Sequence, residues 1–222
     1  MSEQEVFFST TDVAEVAEKL RSVTAEYEEL FNRLCKQIYV SIEAQTSASD
    51  QVAITLQYVE DALQAFSQNF PDNSHLACGK GCSHCCHFPI ETPTQVITDI
   101  TQYLLDTRSG SELAALKAKL QVNIQQRVPP LNRAPCPFLD EDNACTIYLK
   151  RPLSCRWFSS SDARLCEQSV KDGRNIGQHP VQSRIYQAAS TALLAEQKKR
   201  TGSDQQVAFI PALLTELTRQ NP

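Results

Sequence analysis

No stretch of this sequence approaches the roughly 18 consecutive apolar residues that a bilayer-spanning helix needs. The opening segment, MSEQEVFFSTTDVAEVAEKL, lacks the basic region and apolar stretch of a secretory signal, so a cytosolic protein is expected. A surplus of positive charge is also missing. The formal net charge is −5, which argues against nucleic acid or an anionic membrane surface as the main partner. Glycine is scarce, with 6 in 222 residues. No glycine-rich strand-to-helix fingerprint for a nucleotide or methyl donor is visible. Strand-like alternation and internal repeats are absent too, leaving a helical reading. The remaining composition, 41% hydrophobic and 21% charged, is that of a globular protein with one substantial core.

What is present first is helical periodicity. Val13, Val16, Leu20, Val23, Tyr27, Leu30 and Leu34 recur at steps of three and four, predicting a long helix over about 12–43 that starts near Asp12 and Glu15. The polar stretch 44–50 reads as a turn. Val52, Leu56, Val59, Leu63, Phe66 and Phe70 form a second stripe, ended by Pro71. Two stripes joined by a short polar loop predict an antiparallel helical hairpin. Thr92 with Pro93 predicts the start of a third helix. A fourth is expected after Ser109-Gly110-Ser111, closed by Pro129-Pro130, with others near 180–200 and from Pro211. Residues 131–179 read as irregular. The fold class is all-α, with two long cysteine-rich loops. The expected organisation is a hairpin over 1–72, a metal-binding domain over 73–170, and C-terminal helices over 171–222 that pack on the same core.

The unusual abundance is cysteine, at nine. An odd count in a reducing compartment disfavours a disulfide framework. Cys35 lies on a helical stripe and reads as a core thiol. Four others fall within a few residues, Cys78-Gly-Lys-Gly-Cys82-Ser-His-Cys85-Cys86. Thiolates two to four residues apart can wrap one centre, and Gly79 and Gly81 suit the tight turn this needs. A second group follows: Cys136 in CPFL, Cys145 in CTIY, Cys155 in RPLSCR, and Cys166. These eight thiols exceed the ligands of one tetrahedral zinc. Two centres, one multinuclear cluster, or some sulfurs that do not ligate would each fit. Adjacent residues project differently and rarely bind a single ion together, so either one of Cys85-Cys86 is a packing residue or the pair serves two metals, the reading favoured here.

The joint pattern resembles a cysteine-cluster family described as a zinc- or iron-chelating domain, the YkgJ type, related to the flagellin lysine N-methylases. The resemblance covers about residues 75–160. It implies that Cys78, Cys82, Cys85, Cys86, Cys136, Cys145 and Cys155 are metal-site cysteines, and that the cofactor is an iron–sulfur cluster or zinc. The spacing Cys78-x3-Cys82-x2-Cys85 also matches radical enzymes that bind S-adenosylmethionine. Those need a β/α barrel, for which this sequence offers no strands.

Two functions are therefore expected as alternatives. One is a cytosolic metal-binding protein holding an iron–sulfur cluster or zinc, with a redox or methyl-transfer role. The other is a structural zinc module pinning the loops of an interaction protein. The catalytic residues, if the protein is an enzyme, are not legible. A metal ion or cluster is the expected partner, with a protein partner open. His84 and His87 read as neighbours of the site, outside its ligand set. Arg151 and Arg156, bracketing Cys155, read equally as partners of anionic sulfur or as braces of the loop.

Overall fold

The computed structural model describes residues 9–70 and 76–220. Eight helices make up almost all of its regular structure. They are α1 (Thr10–Ile42), α2 (Ala48–Asn69), α3 (Thr94–Thr107), α4 (Gly110–Gln126), α5 (Leu153–Trp157), α6 (Ala163–Asp172), α7 (Pro180–Thr201) and α8 (Phe209–Gln220). The fold is all-α. Its one sheet is a two-residue antiparallel ladder in which β1 (Glu91–Thr92) pairs with β2 (Val207–Ala208). No β/α barrel exists among the described residues. No described helix is long and apolar enough to cross a membrane.

The expected hairpin forms. Ser47 caps α2 by accepting from the Asp50 N–H, and the Tyr58 hydroxyl meets Ser41 of α1 at 2.9 Å. The third partner is α7, which runs alongside α1 in the same direction, tied by Arg184 to Glu28 and by Lys199 to Glu43. Behind them α3 packs on α2 and α8, and α8 packs on α4. Ile38, Ile42, Ile100, Leu104, Leu120, Leu193 and Leu213 are essentially inaccessible at the centre of this arrangement.

Several local expectations shift. Ser9 caps α1, its Oγ accepting from the Thr11 and Asp12 N–H groups, so the helix starts earlier than the Asp12 signal. The end of α2 is Asn69, and Pro71 lies outside the described residues. Thr92 is not a helix cap. It is buried in the ladder opposite Val207, and α3 begins only after Pro93. Residues 131–179 are less irregular than expected. α6 runs from the Asp162 cap, which accepts from Arg164 and Leu165, to Gly173 in the left-handed region at φ 77°.

The largest departure concerns the first stripe. The neighbours of α1 reach only its C-terminal part, where Phe31, Ile38 and Ile42 are buried. Every residue from Thr10 to Glu26 is exposed.

Candidate metal centre

The two cysteine segments are brought together by hydrogen bonds that cross them. The Ala77 N–H donates to the Ser160 carbonyl at 2.8 Å, and the Ser160 N–H donates to Cys78 Sγ at 3.4 Å. The strand of chain before the first cysteine is thereby clasped to chain beyond Cys155. A tight turn follows, in which the Cys82 N–H reaches the Gly79 carbonyl at 3.0 Å. Gly81 holds this turn at φ 87°, in the left-handed region, and a Cβ there would lie 3.6 Å from the Asp142 carbonyl of the second segment. Gly79 has neither constraint. A single 3-10 turn, His84–His87, then carries Cys85 and Cys86 and packs against α6.

In the second segment Leu139 faces Cys145 across an isolated antiparallel bridge. Asp140 closes the intervening loop, its Oδ1 accepting from the Asp142 and Ala144 N–H groups. This places Cys136 and Cys145 near the base of a short loop. Cys155 is carried by α5, one turn of helix after Pro152.

The C-terminal end of α4 clamps both segments. Asn123, 2% exposed, donates to the Pro135 carbonyl at 2.6 Å, just before Cys136. Arg127 donates from Nε to Asn123 Oδ1 and from Nη1 to the His87 carbonyl at 3.3 Å, just after Cys86. Neither residue was among the sequence candidates. Both sit at the end of the helix that precedes the second cysteine group, and no local pattern announces them.

All seven of Cys78, Cys82, Cys85, Cys86, Cys136, Cys145 and Cys155 line one cavity of about 510 Å³. Its apolar wall includes Phe88, Phe138 and Phe158, with Phe209 and Ile210 from the start of α8. Lys80, Arg127 and Arg151 also face it. Cys166 does not; it is 7% exposed on α6 and outside the cavity lining. His84 and His87 are not part of the lining either, and the His87 ring turns to the carbonyls of Ser83 and His84. Cys35 is half-buried on α1, away from the site.

The charges around the sulfurs are ordered. Burial holds the Cys136 thiol up at about 11, reinforced by Cys145 and Cys85 and opposed by the Phe138 N–H and Arg127. Burial also raises Cys145 and Cys155, and in both cases Arg151 acts in the opposite direction. Cys85 is raised most by its hydrogen bond with the Cys86 thiol, then by burial. Four sulfurs from separate stretches thus sense one another; Cys85, Cys145 and Cys155 share the Arg151 guanidinium, and Cys136 has that of Arg127. Arg151 faces the sulfur set and stacks on Tyr148 at 3.7 Å. Arg156 is a brace, donating to the Arg151 and Leu149 carbonyls.

The donor set fits a thiophilic metal. Soft sulfurs outnumber every other ligand type, and cationic groups stand ready to offset thiolate charge. As they stand, no three His, Cys, Asp or Glu side chains among the described residues converge tightly enough to hold an ion. The thiols are gathered around one space.

Comparison with known families agrees with this chemistry. A family model named CxxCxxCC, described as a "Putative zinc- or iron-chelating domain", matches residues 77–183. It begins one residue before Cys78 and extends past Cys166 into the first turn of α7. No curated protein and no solved structure matches the chain.

Proposed function

With residues 77–183 belonging to the CxxCxxCC family of zinc- or iron-chelating domains, we propose that this protein holds an iron–sulfur cluster in the cavity between its two cysteine segments. The ligands come from Cys78, Cys82, Cys85, Cys86, Cys136, Cys145 and Cys155. The observation that carries this reading is that all seven line a single cavity. One tetrahedral zinc takes four sulfurs, whereas a multinuclear centre, or a cluster beside a second metal, can use the rest. Arg127 and Arg151 lower the cost of bringing anionic sulfur together, and the aromatic wall keeps water from that side.

A centre of this kind supplies electron transfer when bound, with its potential set by burial and by hydrogen bonds to sulfur. A cavity of about 510 Å³ falls within the range that accommodates a small molecule. That leaves room for a substrate beside the metal and supports a redox or methyl-transfer role. Lys80 and Arg151 in its lining would favour an anionic one.

The second reading is a structural zinc site. It is supported by the sparse regular structure of residues 76–83 and 127–147, which a metal crosslink would hold in place. Anaerobic purification with elemental analysis and visible spectroscopy separates the two. Brown protein that contains iron and bleaches on reduction supports the cluster. Colourless protein with stoichiometric zinc supports the structural site, and a folded preparation that takes up neither metal refutes both.

A further inference from the structure

Among the described residues, none covers the N-terminal part of α1, from Thr10 to Glu26. Its seventeen-odd exposed residues extend about 25 Å at the rise of an α-helix. An isolated helix of that length is marginal in water. Its apolar stripe is nevertheless complete: Val13, Val16, Leu20, Val23 and Leu30 are all at least half exposed, with Tyr27 part-covered between them. In heptad terms Val13, Leu20 and Tyr27 occupy one seam position and Val16, Val23 and Leu30 the other.

The residues flanking the seam identify the occupant. Asp12, Lys19, Glu26 and Arg33 recur every seventh residue on one side and alternate in sign. Among the described residues none of the four belongs to an ion pair. The opposite flank is uncharged, with Ala17, Thr24 and Phe31, and Phe31 is committed to the chain's own core at 4% exposure. A parallel pairing would set the charged flank against this uncharged one. An antiparallel pairing sets the charged flank against itself.

We propose that this segment of α1 pairs antiparallel with the same segment of a second copy. Leu20 then stacks against Val23 of the second copy, and Val13 against its Leu30. In that register Asp12 meets Arg33 of the second copy, and Lys19 meets its Glu26. Two-fold symmetry repeats each contact, so all four flanking charges find an opposite sign. The dimer axis lies near residue 22, beyond the reach of α2 and α7.

The test is sedimentation of the full chain from low to high micromolar concentration. The wild type is expected to dimerise. Lys19→Glu alone sets glutamates against each other at two symmetric contacts and weakens self-association roughly tenfold or more. Glu26→Lys alone does the same with lysines. The double variant Lys19→Glu/Glu26→Lys restores the wild-type dimer, and mixing the two single variants gives a heterodimer. Metal content, measured on the same samples, stays at the wild-type level throughout. A chain that remains monomeric, or a dimer indifferent to the charges at 19 and 26, overturns the proposal.

Discussion

Lys150 reaches across from the second cysteine segment to Asp99 in the middle of α3, its Nζ lying 2.8 Å and 3.1 Å from the two carboxylate oxygens. The carboxylate is 2% exposed and the ammonium 33%, so the pair is anchored at its acidic end inside the protein. It pins the chain between Cys145 and Cys155 to the helical core.

Removing only the cation leaves a buried, unpaired carboxylate. Lys150→Met is expected to cost about 3 kcal/mol of unfolding free energy in urea titrations. Asp99→Asn in the Lys150→Met background recovers a large part of that loss. A Lys150→Met variant as stable as wild type would show that the ion pair does not hold the segment.

Asn123 ties α4 to the carbonyl before Cys136; its removal takes the donor from that carbonyl and the acceptor from Arg127 Nε, while Arg127 keeps the His87 and Asn132 carbonyls. Asn123→Ala is expected to destabilise the chain by about 1–3 kcal/mol. It should also lower metal retention during dialysis against a chelator, since both cysteine segments hang on this helix end.

Single replacements at five of the nine cysteines should fall into two classes. Cys136→Ser, Cys145→Ser and Cys155→Ser are expected to lose bound metal, measured as metal per chain. Cys35→Ala and Cys166→Ser are expected to keep it, because neither lines the cavity. Metal loss from Cys166→Ser with the fold intact would draw α6 into the ligand set.

The thiols give pH dependence in a defined direction. Cys136 is held at about 11 in the folded, metal-free chain against an ordinary value of 9.0. Folding therefore retains a proton that the unfolded chain gives up. The stabilisation is complete below pH 9 and is lost as pH rises towards 11, worth roughly 2 kcal/mol. Bound metal replaces thiol protons, so metal affinity should climb with pH where stability of the metal-free chain falls. Chemical denaturation with and without metal across this range checks both slopes.

The paired glycines of the first segment predict a contrast. Gly81→Ala must force an L-residue to φ 87° and is expected to cost about 1 kcal/mol and weaken metal binding. Gly79→Ala meets no atom within 4 Å and should leave both unchanged.

Much of this was legible in the sequence, for reasons that are physical. The helices of the hairpin declare themselves through apolar spacing, and the cysteine motifs place the metal chemistry because thiol spacing limits what a short turn can wrap. The boundaries of α6 were also present, as Asp162 and Gly173, but are easily overlooked around so short an element. Three features had no local signal. Thr92 pairs with a residue near the far end of the chain, Asn123 and Arg127 act on carbonyls 12 and 40 residues away, and Cys166 is separated from the cavity only by the path of the backbone. The stripe on α1 was visible, yet periodicity cannot say whether a helix meets its own chain or another.

Phe209 and Ile210 form part of the cavity wall, and they come after every cysteine in the order of synthesis. A ribosome therefore releases all nine thiols before the helix that shelters seven of them has emerged. Correct loading belongs to the finished polypeptide, and a product truncated ahead of α8 would present bare sulfur to whatever oxidant or stray ion arrived first.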